Sequence, residues 1–303
     1  MRLKNWKRRF TKRFHILWDV PRKFGKDHGF FLSSGITFDL LICLIPLILL
    51  LLALLGTYLY SYREVLNHIR RYLEDAFPFL DTRIMDNILR MVRDRKIVGV
   101  LGIGGLIWAS TWVFSSLRTA LDIIFEVTEG RGILRGKGID LLMILLAGTF
   151  LLISMAFSSV ITFVQGYHFS PFLELRPVIR FILKYVIPFF FTFWMCFLIY
   201  KIIPDKKIRF MTALRAAFFT SLFWEAAKQF FGWYVLHLKG FSMIYGSLST
   251  LVIFFLWMYY SSVILLLGGE VAFFLERETD VLRQKKLKGS RIQELKREEI
   301  LKD

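Results

Sequence analysis

The chain has 303 residues, of which 55% are hydrophobic and 17% aromatic, and its formal net charge is +17. Apolar runs as long as those in this sequence exclude an ordinary soluble domain, and they are too long to be strands of a membrane barrel. Such a charge would suggest nucleic acid in a soluble protein, but here the basic residues lie between apolar runs, which indicates membrane topology instead.

Residues 1–28 form a basic arm that contains ten Lys and Arg residues. We do not expect a removable signal peptide, because a full-length span follows and no small-residue cleavage site closes it. Large apolar residues recur at steps of three and four, which is typical of a helix lying on a membrane. We predict that the arm binds anionic membrane lipids, and we do not expect nucleic acid as its partner. The apolar residues are Leu3, Trp6, Phe10, Phe14, Leu17 and Trp18.

Six apolar runs follow the arm, and a membrane-crossing helix needs roughly 20 such residues. Backbone groups find no water in lipid, so each run should be an α-helix. We therefore predict an all-α, polytopic membrane protein whose membrane domain covers 29–275. The six predicted spans are Phe30–Tyr60, Ile97–Leu117, Ile139–Val164, Phe181–Ile203, Phe210–Leu236 and Tyr245–Leu275.

The basic residues alternate between the two sides of these spans. Ten lie before residue 29, four in 118–138, five in 201–215 and nine after residue 275. Short basic flanks stay in the cytoplasm, so both termini should be cytoplasmic, which agrees with an even number of spans.

Two segments should lie outside the bilayer. On the outer side, 61–96 has two stripes of apolar residues at helical spacing, separated near Pro78 and Asp81, and we predict two amphipathic helices there. After the last span, 276–303 mixes nine basic with seven acidic residues, which predicts a charged, partly helical or disordered cytoplasmic tail.

Prolines occur in corresponding positions of the two three-helix halves. Pro46 lies within the first predicted span and Pro188 within the fourth, where each should remove a backbone hydrogen bond and break the helix. Paired breaks of this kind are typical of inverted-repeat transporters. Ordinary membrane helices also contain proline, so both interpretations stay open.

Four charged residues lie within the predicted spans or at their ends. Glu225 and Lys228 occupy the middle of the fifth span at a spacing of three, which puts them on one helix face. They are either a buried structural pair or part of a pathway. Together with Asp39 and Glu270 they would form a polar core if the helices converge. We expect no metal or other cofactor, because the only cysteines, Cys43 and Cys196, lie inside apolar spans.

Several sequence blocks together resemble the YihY/BrkB family of bacterial inner-membrane proteins over about residues 15–275. The resemblance is strongest in the last third of the chain. Asp39 departs from it, since the family usually has an aromatic or small residue there. The blocks are Leu44-Ile45-Pro46; Trp108-Ala109-Ser110; Arg118 and Asp122 with Arg131; Trp224-Glu225 and Tyr234; Tyr245-Gly246; Trp257; and Leu267-Gly268-Gly269-Glu270.

The resemblance implies a bacterial inner-membrane protein with six helices and cytoplasmic ends. Some members have carried a ribonuclease label, but the five histidines are dispersed and no paired acids stand at metal-ligand spacing, so we do not expect an enzyme. We expect a protein that binds or moves a polar or amphiphilic envelope component, such as a lipid, ion or small solute. No ATP-binding loop is present, so transport would be passive or gradient-driven. The alternative is a non-transporting membrane scaffold, and a homo-oligomer is compatible with either.

The topology can be tested with single cysteines in a background that lacks Cys43 and Cys196. A membrane-impermeant thiol reagent added to intact cells should label Ser61→Cys and not Ser290→Cys, because the first lies outside and the second inside. Lysed cells provide the control, since both positions should then react. Labelling of Ser290→Cys alone in intact cells would contradict the topology.

Overall fold

The structure is a computed structural model that describes residues 18–59, 94–128, 130, 132–166, 186–237 and 248–300. In these ranges all regular secondary structure is helical, which confirms the all-α class. Residues 1–17, most of the outer segment 61–96, and the motif residues Arg131, Tyr245 and Gly246 lie outside the described ranges. The helices are α1 (18–26), α2 (Gly29–Leu59), α3 (Arg95–Ile124), α4 (Ile133–Gly166), α5 (Ile187–Ile202), α6 (Phe210–His237) and α7 (Leu248–Ile300).

Three of these helices contain stretches long and apolar enough to cross a bilayer: Gly29–Leu54 of α2, Arg95–Ile124 of α3 and Leu251–Val281 of α7. The described part of α5 is apolar but shorter. These helices confirm the membrane-protein class. The six crossings and the cytoplasmic position of both termini stay predictions.

Helices α2 and α3 pack closely because small residues of α3 face α2. A Cβ atom on Gly102 would lie 2.9 Å from the backbone nitrogen of Leu50, and one on Gly105 would lie 3.1 Å from Cβ of Pro46. Glycine at these positions lets the two backbones approach, as small residues do in membrane helix pairs.

Neither proline ends a helix in the described ranges. Helix α2 continues through Pro46 from Gly29 to Leu59, so this residue does not produce the expected break, and its ring packs over Gly105. Pro188 lies in the first turn of the described α5. Residues 167–185 lie outside the described ranges, so the break expected at Pro188 stays a prediction.

A second close contact joins α5, α6 and α7 around a buried tyrosine. The hydroxyl of Tyr200 donates to the carbonyl oxygen of Leu265 at 2.7 Å and lies 2.9 Å from Oγ1 of Thr220. Both side chains are buried, and a Cβ atom on Gly268 would overlap both hydroxyl oxygens. Gly268 therefore leaves the space that this polar contact between three helices requires.

Replacement of Gly268 tests this contact. Gly268→Ala should destabilise the protein by about 1 to 3 kcal/mol, because the added methyl group must displace Tyr200 or Thr220. Gly104→Ala is a matched control, since a Cβ atom there would meet nothing within 4 Å and alanine favours the helix. Unfolding in detergent, followed by circular dichroism, should show a loss for the first variant only; equal behaviour would contradict the packing role.

Candidate functional site

The ends of several helices meet on the side that the charge pattern predicts to be cytoplasmic. Nζ of Lys23 donates to the carbonyl oxygen of Ile124 at 2.9 Å, which joins α1 to the end of α3. Nearby, the backbone nitrogen of Asp205 donates to Oδ1 of Asp122 at 2.8 Å, and this bond joins the loop after α5 to α3. These contacts close one end of the helix bundle.

A sharp turn returns the chain from α1 into α2. His28 has a φ of 53°, in the left-handed region, and the amide of His28 donates to the carbonyl oxygen of Gly25. The ring of Phe24 packs on Gly29, where a Cβ atom would overlap it, and Phe24 itself is 2% exposed. The turn thus fixes α1 against the bundle, although Trp18 at its start is 70% exposed.

This packing brings Lys23 into contact with three acidic residues. Nζ of Lys23 forms an ion pair with Asp27 one turn later, and it lies 3.5 Å from Oε2 of Glu270 and 3.9 Å from Oε1 of Glu126. The same ammonium group lies 4.2 Å from the centroid of the Phe273 ring, within the range of a cation–π contact. We call Lys23, Asp27, Glu126 and Glu270 the Lys23 cluster.

Glu270 is the innermost member of the Lys23 cluster. Its side chain is 0% exposed, and no hydrogen bond of normal geometry reaches either carboxylate oxygen within the part of the chain that the structure describes; the charged side chains that interact with it are Lys23 and Asp27. A buried carboxylate without hydrogen bonds is costly unless a cation lies nearby. Lys23 provides that cation from α1, so the cost of burying Glu270 depends on where α1 lies.

A cavity of about 410 Å³ opens beside the Lys23 cluster. It is lined by Lys23, Asp27 and Glu126, together with further residues of α1 and α7 that include Arg22 and Arg277. Its lining is therefore charged, unlike the apolar cleft of about 350 Å³ between α6 and α7, where Tyr234 and Trp257 lie. A charged cavity above a buried acid is suited to a polar or ionic ligand.

The other residues of the predicted polar core lie in separate contacts. Nζ of Lys228 donates to Oε2 of Glu225 at 2.6 Å, and the two side chains are 39% and 21% exposed. Asp39 accepts a hydrogen bond from Ser116 of α3. Among the described residues, no ion pair or hydrogen bond joins these groups to Glu270. A single polar interior shared by all four stays a prediction.

The family motif residues mostly hold helices together. Nη2 of Arg118 donates to Oδ2 of Asp140 on α4 at 2.8 Å, across Gly136, where a Cβ atom would meet the guanidinium group. The rings of Trp224 and Trp257 meet edge to face at 5.7 Å and join α6 to α7. Trp108 is largely exposed and packs on Trp112 of its own helix.

Sequence reasoning missed three members of the Lys23 cluster. The sequence pattern places Lys23 and Asp27 in the membrane-binding arm and Glu126 in a loop. The spacing of four between Lys23 and Asp27 is a local signal for an ion pair. Nothing local connects Lys23 to Glu270, because that pairing depends on how α1 folds back. In the described ranges, no group of three His, Cys, Asp or Glu side chains is arranged to hold a metal ion.

The cluster predicts unequal effects for its two central residues. Lys23→Met should cost about 1 to 3 kcal/mol of stability, because it removes the cation beside the buried Glu270 and leaves the Ile124 carbonyl without its donor. Glu270→Gln should cost about 1 kcal/mol or less, since Lys23 keeps Asp27 and the Ile124 carbonyl.

Unfolding of the single and double variants in mixed detergent micelles measures these costs. The double variant should lose less than the sum of the single losses, because the neutral amide introduced by Glu270→Gln needs no cation. Lys26→Met, a change at an exposed neighbour on α1, is the control. Additive losses would contradict the coupling.

Comparison with known proteins agrees with the sequence motifs. Residues 20–293 match the family described as virulence factor BrkB. A UPF0761 membrane protein of Haemophilus influenzae (strain 86-028NP) is 26% identical over 255 residues, which are 83% of this chain and 91% of that protein. Another, from Chlorobium phaeobacteroides (strain DSM 266), is 27% identical over 86% of this chain and 57% of its own length. No solved structure matches. Since the family match covers most of the chain and confirms the resemblance, this protein belongs to the BrkB family of membrane proteins.

Proposed function

We propose that this membrane protein binds and moves a polar or amphiphilic component of the bacterial envelope, and that the Lys23 cluster is where the component enters from the cytoplasmic side. One observation carries the proposal: Glu270 is fully buried, accepts no hydrogen bond of normal geometry in the described ranges, and lies beside a charged cavity. Ionisable residues buried within membrane helices are costly and commonly mark the path of a substrate or ion.

The cluster can respond to a ligand because its cation lies on a separate short helix. Lys23 neutralises Glu270 from α1 and not from the span that contains Glu270. A cationic group or a proton that reached Glu270 would take over this role, and α1 would then lose one of its attractions to the bundle. Ligand entry and α1 movement would be coupled through one ammonium group.

Besides the Lys23 cluster, the proposal involves a second polar pair, Glu225 and Lys228, which lies on α6. Their ion pair lies within one helix, and both side chains are partly exposed. Ser221, four residues before Glu225, lies on the same face and its hydroxyl contacts Cys196 of α5. The face that carries this pair therefore points toward α5. We propose that a path runs from the Lys23 cluster along the junction of α5 and α6.

A scaffold role is the second candidate, and α7 favours it. The candidate span in α7 ends at Val281, but the helix continues to Ile300. The added segment is strongly charged, and a rigid charged helix of this kind could hold a cytoplasmic partner.

Two sets of variants separate transport from scaffolding. Glu270→Gln, and the double change of Glu225 and Lys228 to leucine, should insert and fold but fail to complement an envelope phenotype of a deletion strain. Folding should survive because a buried ion pair can often be replaced by apolar residues without loss of stability. Function should not, because the charge is what the moving component meets.

A truncation after Val281 is the opposite variant, because it removes the helical extension and leaves the polar groups intact. Transport predicts complementation by the truncated chain and none by the charge variants. Full complementation by stable charge variants, with loss in the truncated chain, would favour the scaffold. Membrane levels of every variant, measured by immunoblot, control for expression.

A further inference from the structure

Outside the Lys23 cluster, the cavity is lined by more basic than acidic residues. Four basic and three acidic residues line it. Lys23 is committed to the Lys23 cluster, but the other three basic residues, Arg22, Lys26 and Arg277, have no carboxylate at salt-bridge distance among the described residues. Asp19 is the one lining acid outside the cluster. The rim of the cavity is therefore cationic and able to bind an anion.

These three cations lie at the expected level of the lipid headgroups. Arg22 and Lys26 immediately precede the candidate span that begins at Gly29, and Arg277 lies near the end of the candidate span in α7. Trp18 is exposed at the start of α1, and the guanidinium of Arg22 lies 6.0 Å from the centroid of its ring. Exposed tryptophan and arginine beside a span are typical of the membrane interface.

Glu270 is not among the residues that line the cavity. Its side chain is 0% exposed, so an anion at the rim need not contact the Glu270 carboxyl group. The rim cations come from two helices, α1 and α7, and can therefore surround a compact anionic group. A phosphate group fits this arrangement better than a single carboxylate, because it offers several acceptor oxygens.

We propose that this cavity is a binding site for the phosphate of a glycerophospholipid in the adjacent leaflet, with Arg22, Lys26 and Arg277 as the phosphate-binding residues. The proposal rests on the proposed function and names the chemical class of the component that enters. The lipid source follows from position, because the rim cations flank two candidate spans at the level where a headgroup would lie.

The test uses the purified full chain in an uncharged detergent and dihexanoyl phosphatidylglycerol as the probe, with binding measured by calorimetry at low salt. Wild-type protein should bind it, and R22Q/K26Q/R277Q should bind roughly a hundredfold more weakly, at about 1 kcal/mol for each basic residue. All three positions are exposed, so the variant should fold, which gel filtration and thermal unfolding will check.

A matched variant removes the same charge elsewhere. Arg135, Arg283 and Lys288 are exposed and do not line the cavity, so R135Q/R283Q/K288Q should bind within about twofold of wild type. Dihexanoylglycerol, which lacks the phosphate, should not bind. Equal losses in both triple variants would mean unspecific charge attraction, and binding of dihexanoylglycerol would mean an apolar site; either result overturns the proposal.

Competition by glycerol phosphate shows whether the site prefers a lipid or a soluble anion. It should compete only weakly, because it lacks the chains that the membrane side accommodates. Competition as strong as that of the short-chain lipid would overturn the lipid assignment. Failure of this binding test leaves the transport proposal standing with another component, whereas complementation by Glu270→Gln would remove the transport proposal and leave the phosphate site intact.

Discussion

The ion pair between Lys23 and Glu270 is the contact on which the arrangement of this end of the bundle depends. A fully buried carboxyl group is costly to ionise, and the cation that lowers this cost comes from a helix outside the span. Because Lys23 also donates to the carbonyl oxygen of Ile124, one ammonium group ties α1 to both α3 and α7. Together with the burial of Phe24, these contacts of Lys23 hold α1 against the bundle.

The other helices of the bundle are held together by two other kinds of contact. Close approach of α2 and α3 depends on Gly102 and Gly105, whereas α5, α6 and α7 meet through the hydroxyl of Tyr200 and the space left by Gly268. Both arrangements are expected in a membrane. Lipid chains are as apolar as the helix surfaces, so apolar contact alone does not hold helices together, and they associate through close packing and hydrogen bonds.

The sequence predicted the class, the helices and the local pair of Glu225 and Lys228, because hydropathy and helical spacing are local properties. The 2.6 Å contact of that pair agrees with its spacing of three. The link from Lys23 to Glu270 was not predictable, because it joins the two ends of the chain and depends on a turn at His28. Pro46 was expected to break α2, but whether a proline ends a membrane helix depends on its neighbours, and here Gly105 accommodates the ring.

Two strained residues flank the Lys23 cluster. His28 and Glu126 both have a φ of 53°, a conformation that costs non-glycine residues about 1 to 3 kcal/mol. The first sets the direction of α1 and the second holds a carboxylate 3.9 Å from Lys23. Such strain persists only where surrounding contacts compensate for it, and here the compensation includes the ion pairs of Lys23.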